Sequence, residues 1–123
     1  MKLHLEAASA KNTFTGYGEG YVVVNGERFG KSVVVLPDRI LADWPAESFA
    51  GLRAEHLAAL TGLGREIILL GTGTKLRFPP PEIVAPLVRA GIGVEVMDLQ
   101  AACRTYNILM SEGRKVAAAL LIE

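Results

Sequence analysis

Two short segments carry the residue types best suited to holding a small anion: the loop Gly71-Thr72-Gly73-Thr74 and the segment Asp98-Leu99-Gln100. Small residues with free main-chain N–H groups beside a helix start form a ready anion cradle. The loop follows the continuous apolar run Ile67–Leu70, and Asp98 follows Val94–Met97. If those runs are parallel neighbouring strands, loop and helix start meet at one end of the sheet, where open α/β sheets bind ligands. The pattern is no nucleotide fingerprint. Gly71-Thr72-Gly73 is not G-x-G-x-x-G because position 76 is leucine, and no Gly-Lys-Ser/Thr follows at P-loop spacing. Asp98 also places a carboxylate where a phosphate would sit. The plainer reading is that these glycines turn the chain tightly after a buried strand.

The helix expected from Asp98 to about Glu112 holds the other candidates. Leu99, Ala102, Cys103, Tyr106, Leu109 and Met110 fall within an arc of about 120° and form its core stripe. Cys103 lies in that stripe, with no histidine placed nearby to activate it, so the expectation is a buried, inert thiol. Beside the stripe run Gln100, Arg104, Asn107 and Ser111. As a solvated face these need only water, with Arg104 paired to a carboxylate. As a recognition stripe, Arg104 offers a planar fork to a carboxylate or phosphate, with Asn107 beside it. Ile108 points almost opposite the core and is expected to be exposed unless a partner covers it. One cysteine with His4 and His56 supplies no metal-ligand spacing, and no cofactor is implied. Glu6, Glu19, Glu27, Asp38, Asp43 and Glu95 are dispersed, so no paired carboxylates for acid–base catalysis stand out.

The elements that must position these residues divide the chain in two. The first half reads as strands and turns: a short strand around Leu3 and Leu5, Tyr21–Val24, a hairpin turn at Asn25-Gly26, a returning strand from Glu27, then Val33–Leu36 ending at Pro37-Asp38. A short strand and a connection follow between Arg39 and Arg53, and Ala54–Leu60 is helix-forming, ended by Gly62 and Gly64. Ile67–Leu70 is a strand covered on both faces. Ile83, Val84, Leu87 and Val88 recur at helical spacing, with Pro86 expected to kink that helix or delay its start. Val94–Met97 and Val116–Ile122 complete a βαβαβ half, and Asp98 is placed as an N-cap. The predicted fold is α/β, a single compact domain over 1–123. A mixed β-sheet shared by both halves carries helices on its faces.

Composition narrows the function classes. The chain has 123 residues, 50% of them hydrophobic, enough for a sizeable core without staples. Lys plus Arg total 13 and Asp plus Glu total 13, leaving no net charge and no basic footprint for nucleic acid. Near-zero charge gives little colloidal repulsion, favouring a protein partner or a homo-oligomer. The single cysteine fits a reducing compartment. No apolar run approaches the length of an integral membrane segment, and the N-terminus lacks a signal-peptide pattern, so the expected location is cytoplasmic.

Several motifs together resemble a known family. They are Gly71-Thr72-Gly73, Arg77-Phe78-Pro79-Pro80, Gly93-Val94-Glu95-Val96-Met97, the run from Ala102 to Leu109, and Glu112-Gly113-Arg114, with Tyr17-Gly18, Val24-Asn25-Gly26 and Ser32-Val33 earlier. This pattern is similar to the small domain-of-unknown-function family that includes a mitochondrial complex I (NADH:ubiquinone oxidoreductase) assembly factor. The resemblance covers nearly the whole chain and implies a compact α/β fold. For eukaryotic members it implies assembly of that enzyme through protein–protein contact at the inner membrane. Met1–Ala10 is not an Arg-rich amphipathic transit segment, so the chain looks like a prokaryotic member. The leading expectation is a non-enzymatic protein-binding domain, an assembly factor for respiratory complex I or another membrane complex. Its partners would be respiratory complex subunits or other assembly factors. It would be held peripherally at the inner face of the plasma membrane through such a partner, with Arg104 and Ile108 as contact residues. The alternative is a small-ligand or anion-binding protein, or an enzyme, using Gly71, Thr72, Gly73, Arg104 and Asn107.

Overall fold

The computed structural model describes residues 11–123; the strand expected around Leu3 and Leu5, and His4, lie outside them. Strands β1 (Phe14–Gly18), β2 (Tyr21–Val24) and β3 (Glu27–Phe29) form an antiparallel meander. Its second turn is the expected Asn25-Gly26 pair, with φ of 51° and 85°, the left-handed geometry that matches strand twist in a tight hairpin. Strands β4 (Val33–Leu36) and β5 (Arg39–Leu41) form a second hairpin. After α1 (Ala54–Ala58) and a short 3-10 turn at Thr61–Leu63, the chain alternates β6 (Ile67–Gly71), α2 (Pro81–Arg89), β7 (Gly93–Met97), α3 (Leu99–Ser111) and β8 (Val116–Leu120).

The two halves share one sheet only in part. A five-stranded mixed sheet has the order β5-β4-β8-β6-β7, with β6 parallel to both β7 and β8 and β4 antiparallel to β8. The β1–β3 meander forms a separate three-stranded sheet. Both edges of β4 are already occupied, by β5 and β8, so the preceding strand has no ladder to join there.

Period-two alternation along the central strands builds two cores. Val33, Val35, Leu69, Val116, Ala118 and Leu120 face α3 and the small sheet, packing against Leu99, Cys103, Tyr106, Phe14, Val22 and Val24. Val34, Leu36, Ile68, Leu70, Ala117 and Ala119 face α1, α2 and the 44–52 segment through Leu57, Leu87, Trp44 and Leu52. The helix α2 begins at Pro81 and runs through Pro86, so the internal proline does not delay its start. The α3 stripe is buried as its spacing predicts: Leu99, Ala102, Cys103, Tyr106 and Met110 are buried, and Leu109 is partly buried.

Candidate functional site

The connections leaving β6 and β7 pass to opposite faces of the sheet, β6 to α2 and β7 to α3. Parallel neighbours whose connections diverge leave a crevice beyond their carboxyl ends. Here the crevice is a depression of ≈350 Å³ lined by Gly73, Thr74, Asp98, Leu99 and Gln100, closed on its far side by the end of β1 at Tyr17 and Gly18 and the following turn residue Glu19. A second depression of ≈340 Å³ shares Gly73, Thr74 and Leu99 and continues to Lys75, Arg77 and Glu123.

The loop beneath is stitched to its neighbours. A Cβ on Gly71 would lie 2.7 Å from Leu120 Cδ2 and 3.2 Å from Ala102 Cβ, so glycine there permits the close approach of α3 to the sheet. Thr72 is fully buried. Its N–H donates to the Met97 carbonyl at 2.9 Å. Its hydroxyl donates to the Lys75 carbonyl at 2.6 Å and accepts from the Arg77 N–H at 3.1 Å. Gly73 has φ of 89°, and its carbonyl accepts from the Leu99 N–H at 2.8 Å, tying the loop to the start of α3. Asp98 caps that helix, accepting from the Ala101 N–H at 2.8 Å.

Arg77 fastens the outgoing chain. Its Nη2 donates to the Thr72 carbonyl at 2.7 Å and to Glu123 Oε2 at 2.8 Å, and its guanidinium lies 4.7 Å from the Phe49 ring centre. The same Glu123 oxygen accepts from the Phe49 N–H at 3.0 Å. That N–H, with the Arg77 contact, holds the Glu123 carboxyl below its ordinary range. With Arg77 turned inward, its neighbours turn out: Leu76 is 51% and Phe78 71% exposed. Nothing local in the sequence announced this clasp, because Arg77 and Glu123 lie 46 positions apart.

The candidate residues on α3 separate. Asn107 spends both ends of its amide on one strand residue, accepting from the Phe14 N–H at 2.9 Å and donating to the Phe14 carbonyl at 2.8 Å. Arg104 is exposed, and no ion pair among the described residues includes it. Neither residue lines the crevice at Gly73. Ile108 is exposed, at the position its spacing predicts. Burial, only partly offset by the charge of Arg104, pushes the Cys103 thiol up to about 12, the opposite of an activated nucleophile. His56 works as local structure, its Nδ1 accepting from the Arg53 N–H at 3.0 Å. Tyr17 and Glu19, which help line the crevice, sit in the first half of the chain, and only the folding of the small sheet brings them there.

Residues 14–121 match the family described as "Protein of unknown function (DUF498/DUF598)". The chain belongs to this family. It is 30% identical over 122 residues to the "13 kDa major membrane protein" of Francisella tularensis subsp. holarctica, covering 98% of this chain and 99% of that protein. It is 35% identical over 121 residues to the Xenopus tropicalis protein named NADH dehydrogenase (ubiquinone) 1 alpha subcomplex assembly factor 3, covering 95% of this chain and 65% of that one. The family therefore includes complex I assembly factors, as the resemblance implied, and the chain spans about two-thirds of such a relative's length. Among solved structures, a Bordetella parapertussis protein superposes with a TM-score of 0.86 at 47% identity, covering 93% of this chain and 98% of that one. No helix among the described residues is long and apolar enough to cross a membrane.

Proposed function

We propose that this chain is a non-enzymatic protein-binding domain that assists assembly of a membrane complex, with respiratory complex I the first candidate. The observation that carries the reading is the pair Leu76 and Phe78, held out to solvent by the inward Arg77 clasp. A large exposed aromatic beside an exposed leucine on a fastened segment suits a contact with another protein better than it suits water. Kinship to vertebrate assembly factors supports the choice of partner, which would be a respiratory-chain subunit or another assembly factor. The chain would work in the cytoplasm, held at the inner face of the membrane by that partner, with Arg104 and Ile108 as further contact residues. Affinity capture of the tagged protein from its native cells tests this. Enrichment of complex I subunits or assembly partners is expected, and their absence sinks the assembly reading.

A small-ligand reading draws support from the crevice of ≈350 Å³ at the ends of β6 and β7. Such a ligand would meet Gly73, Thr74 and Gln100 rather than the side chains of Thr72 and Asn107, which are committed within the fold. A thermal-shift screen with phosphates, nucleotides and carboxylates decides it, since a bound ligand raises the melting temperature by mass action.

A further inference from the structure

Among the described residues, two open sheets have four edge strands: β1, β3, β5 and β7. An edge presents unpaired main-chain N–H and C=O groups to any extended segment, and native proteins blunt such edges. Three of the four are blunted here. On β1 the Asn107 amide occupies both main-chain groups of Phe14, and the register shifts between Phe14 and Gly16. The β3 strand has three residues and exposes Glu27 and Arg28. The β5 strand also has three and begins at exposed Arg39.

The β7 edge is the least blunted, carrying one exposed charge, Glu95, on a longer and regular strand. It runs five residues, Gly93-Val94-Glu95-Val96-Met97, in unbroken register with β6, without proline, lysine or bulge. No further strand among the described residues pairs beyond it. The direction of its main chain follows from two bonds. Gly93 N–H donates to the Glu66 carbonyl at 2.9 Å, and the Met97 carbonyl accepts from Thr72 N–H at 2.9 Å, so positions 93, 95 and 97 are turned toward β6. With period two, Val94 and Val96 turn their N–H and C=O groups outward. Their side chains pack partly buried on the α2 side, while Glu95 is exposed on the other face. No ion pair among the described residues includes Glu95.

We infer that the β7 edge is a strand-addition site for an extended segment of a protein partner, bearing apolar, basic and apolar residues opposite Val94, Glu95 and Val96. Directly opposed residues share a sheet face, so apolar partner residues would extend the layer of Val94 and Val96, and a Lys or Arg would sit beside Glu95. Glu95 also selects against a second copy of this chain, because symmetric pairing about the middle of β7 sets like charges against each other. The inference rests on the protein-binding reading and adds to the exposed Leu76 and Phe78 a second contact of stated chemistry.

The test is an amide-detected NMR titration of the isotope-labelled chain with capped six-residue peptides centred on Val-Lys-Val or Val-Glu-Val. With the lysine peptide, the largest shifts and new protection from solvent exchange should fall on Val94 and Val96. The glutamate peptide should bind about three- to five-fold more weakly, the range expected for an opposed charge pair. Glu95→Lys should reverse that order. Val96→Pro removes an outward N–H that the ladder does not use, a place where edge strands accept proline, and should abolish binding while leaving the remaining spectrum native. If Val96→Pro unfolds the chain, the Glu95→Lys reversal still decides. No shift at millimolar peptide, or shifts centred on the crevice at Tyr17, would overturn the assignment. Capture of complex I partners by wild type and Val96→Pro alike would remove the edge but leave the assembly function. Peptide binding at the edge without any such capture would do the reverse.

Discussion

Asn107→Ala should cost this protein far more stability than its place on a polar helix stripe implies. The amide accepts from the Phe14 N–H at 2.9 Å and donates to the Phe14 carbonyl at 2.8 Å, joining α3 to the small sheet across 93 positions of sequence. Each bond contributes about 1 kcal/mol net. Phe14 is only 6% exposed, so its freed groups reach water poorly and the cost rises to about 2–3 kcal/mol in total. For 123 residues at about 2.1 cal/mol/K each, the unfolding entropy is on the order of 0.26 kcal/mol/K. A 1 kcal/mol loss then lowers Tm by about 4 °C, and the variant should melt about 8–12 °C below wild type. Calorimetry, with Arg104→Ala as the exposed control on the same stripe, makes the measurement. Arg104→Ala should stay within about 0.5 kcal/mol of wild type. An Asn107→Ala variant melting within about 2 °C of wild type would refute the reasoning and return Asn107 to the solvated face.

Three further outcomes are expected. Cys103 should resist alkylation at pH 8 in the native protein and react once the chain is unfolded. Because its folded pKa is raised from 9.0 to about 12, the native state keeps a proton that the unfolded chain releases, so stability is full below pH 9 and falls as pH climbs toward 12. Cys103→Val should flatten that fall in urea midpoints taken at pH 8 and 10.5, leaving the share due to Tyr106, whose pKa burial also raises. Glu123→Gln should blunt acid sensitivity: the lowered carboxyl pKa gives stability present above its unfolded value and lost as pH drops through the folded one. The loss should be small, because Arg77 and Glu123 keep 36% and 39% of their side chains exposed. The double variant Leu76→Ser, Phe78→Ser should leave the unfolding free energy in urea within about 0.5 kcal/mol of wild type yet abolish partner capture; capture at wild-type strength would remove this segment from the contact.

Local chemistry made much of the fold readable. Asn25-Gly26 announces its hairpin because few residue pairs accept two positive φ angles, and Asp98 announces a helix start because a short carboxylate satisfies an orphan N–H. Burial of the α3 stripe follows from helical spacing alone. The division into two sheets did not follow, because a strand's propensity says nothing about whether a neighbouring edge is vacant. The crevice was legible by position, at the ends of two parallel strands, but its far wall at Tyr17 and Glu19 was not.

Residue type and spacing thus established most of the elements, the strand Phe14–Gly18 excepted, together with the inward faces and the family, all of which depend on interactions within a few residues or on a pattern along the chain. What each polar side chain does was decided only in three dimensions. Thr72 and Asn107 look like ligand-binding groups in sequence, yet their hydrogen bonds are consumed inside the fold. Arg77 and Glu123 look ordinary and hold a clasp together. A hydrogen bond is settled by which partner arrives within about 3 Å, and for these residues the partner comes from a distant segment or from a loop shaped by its neighbours.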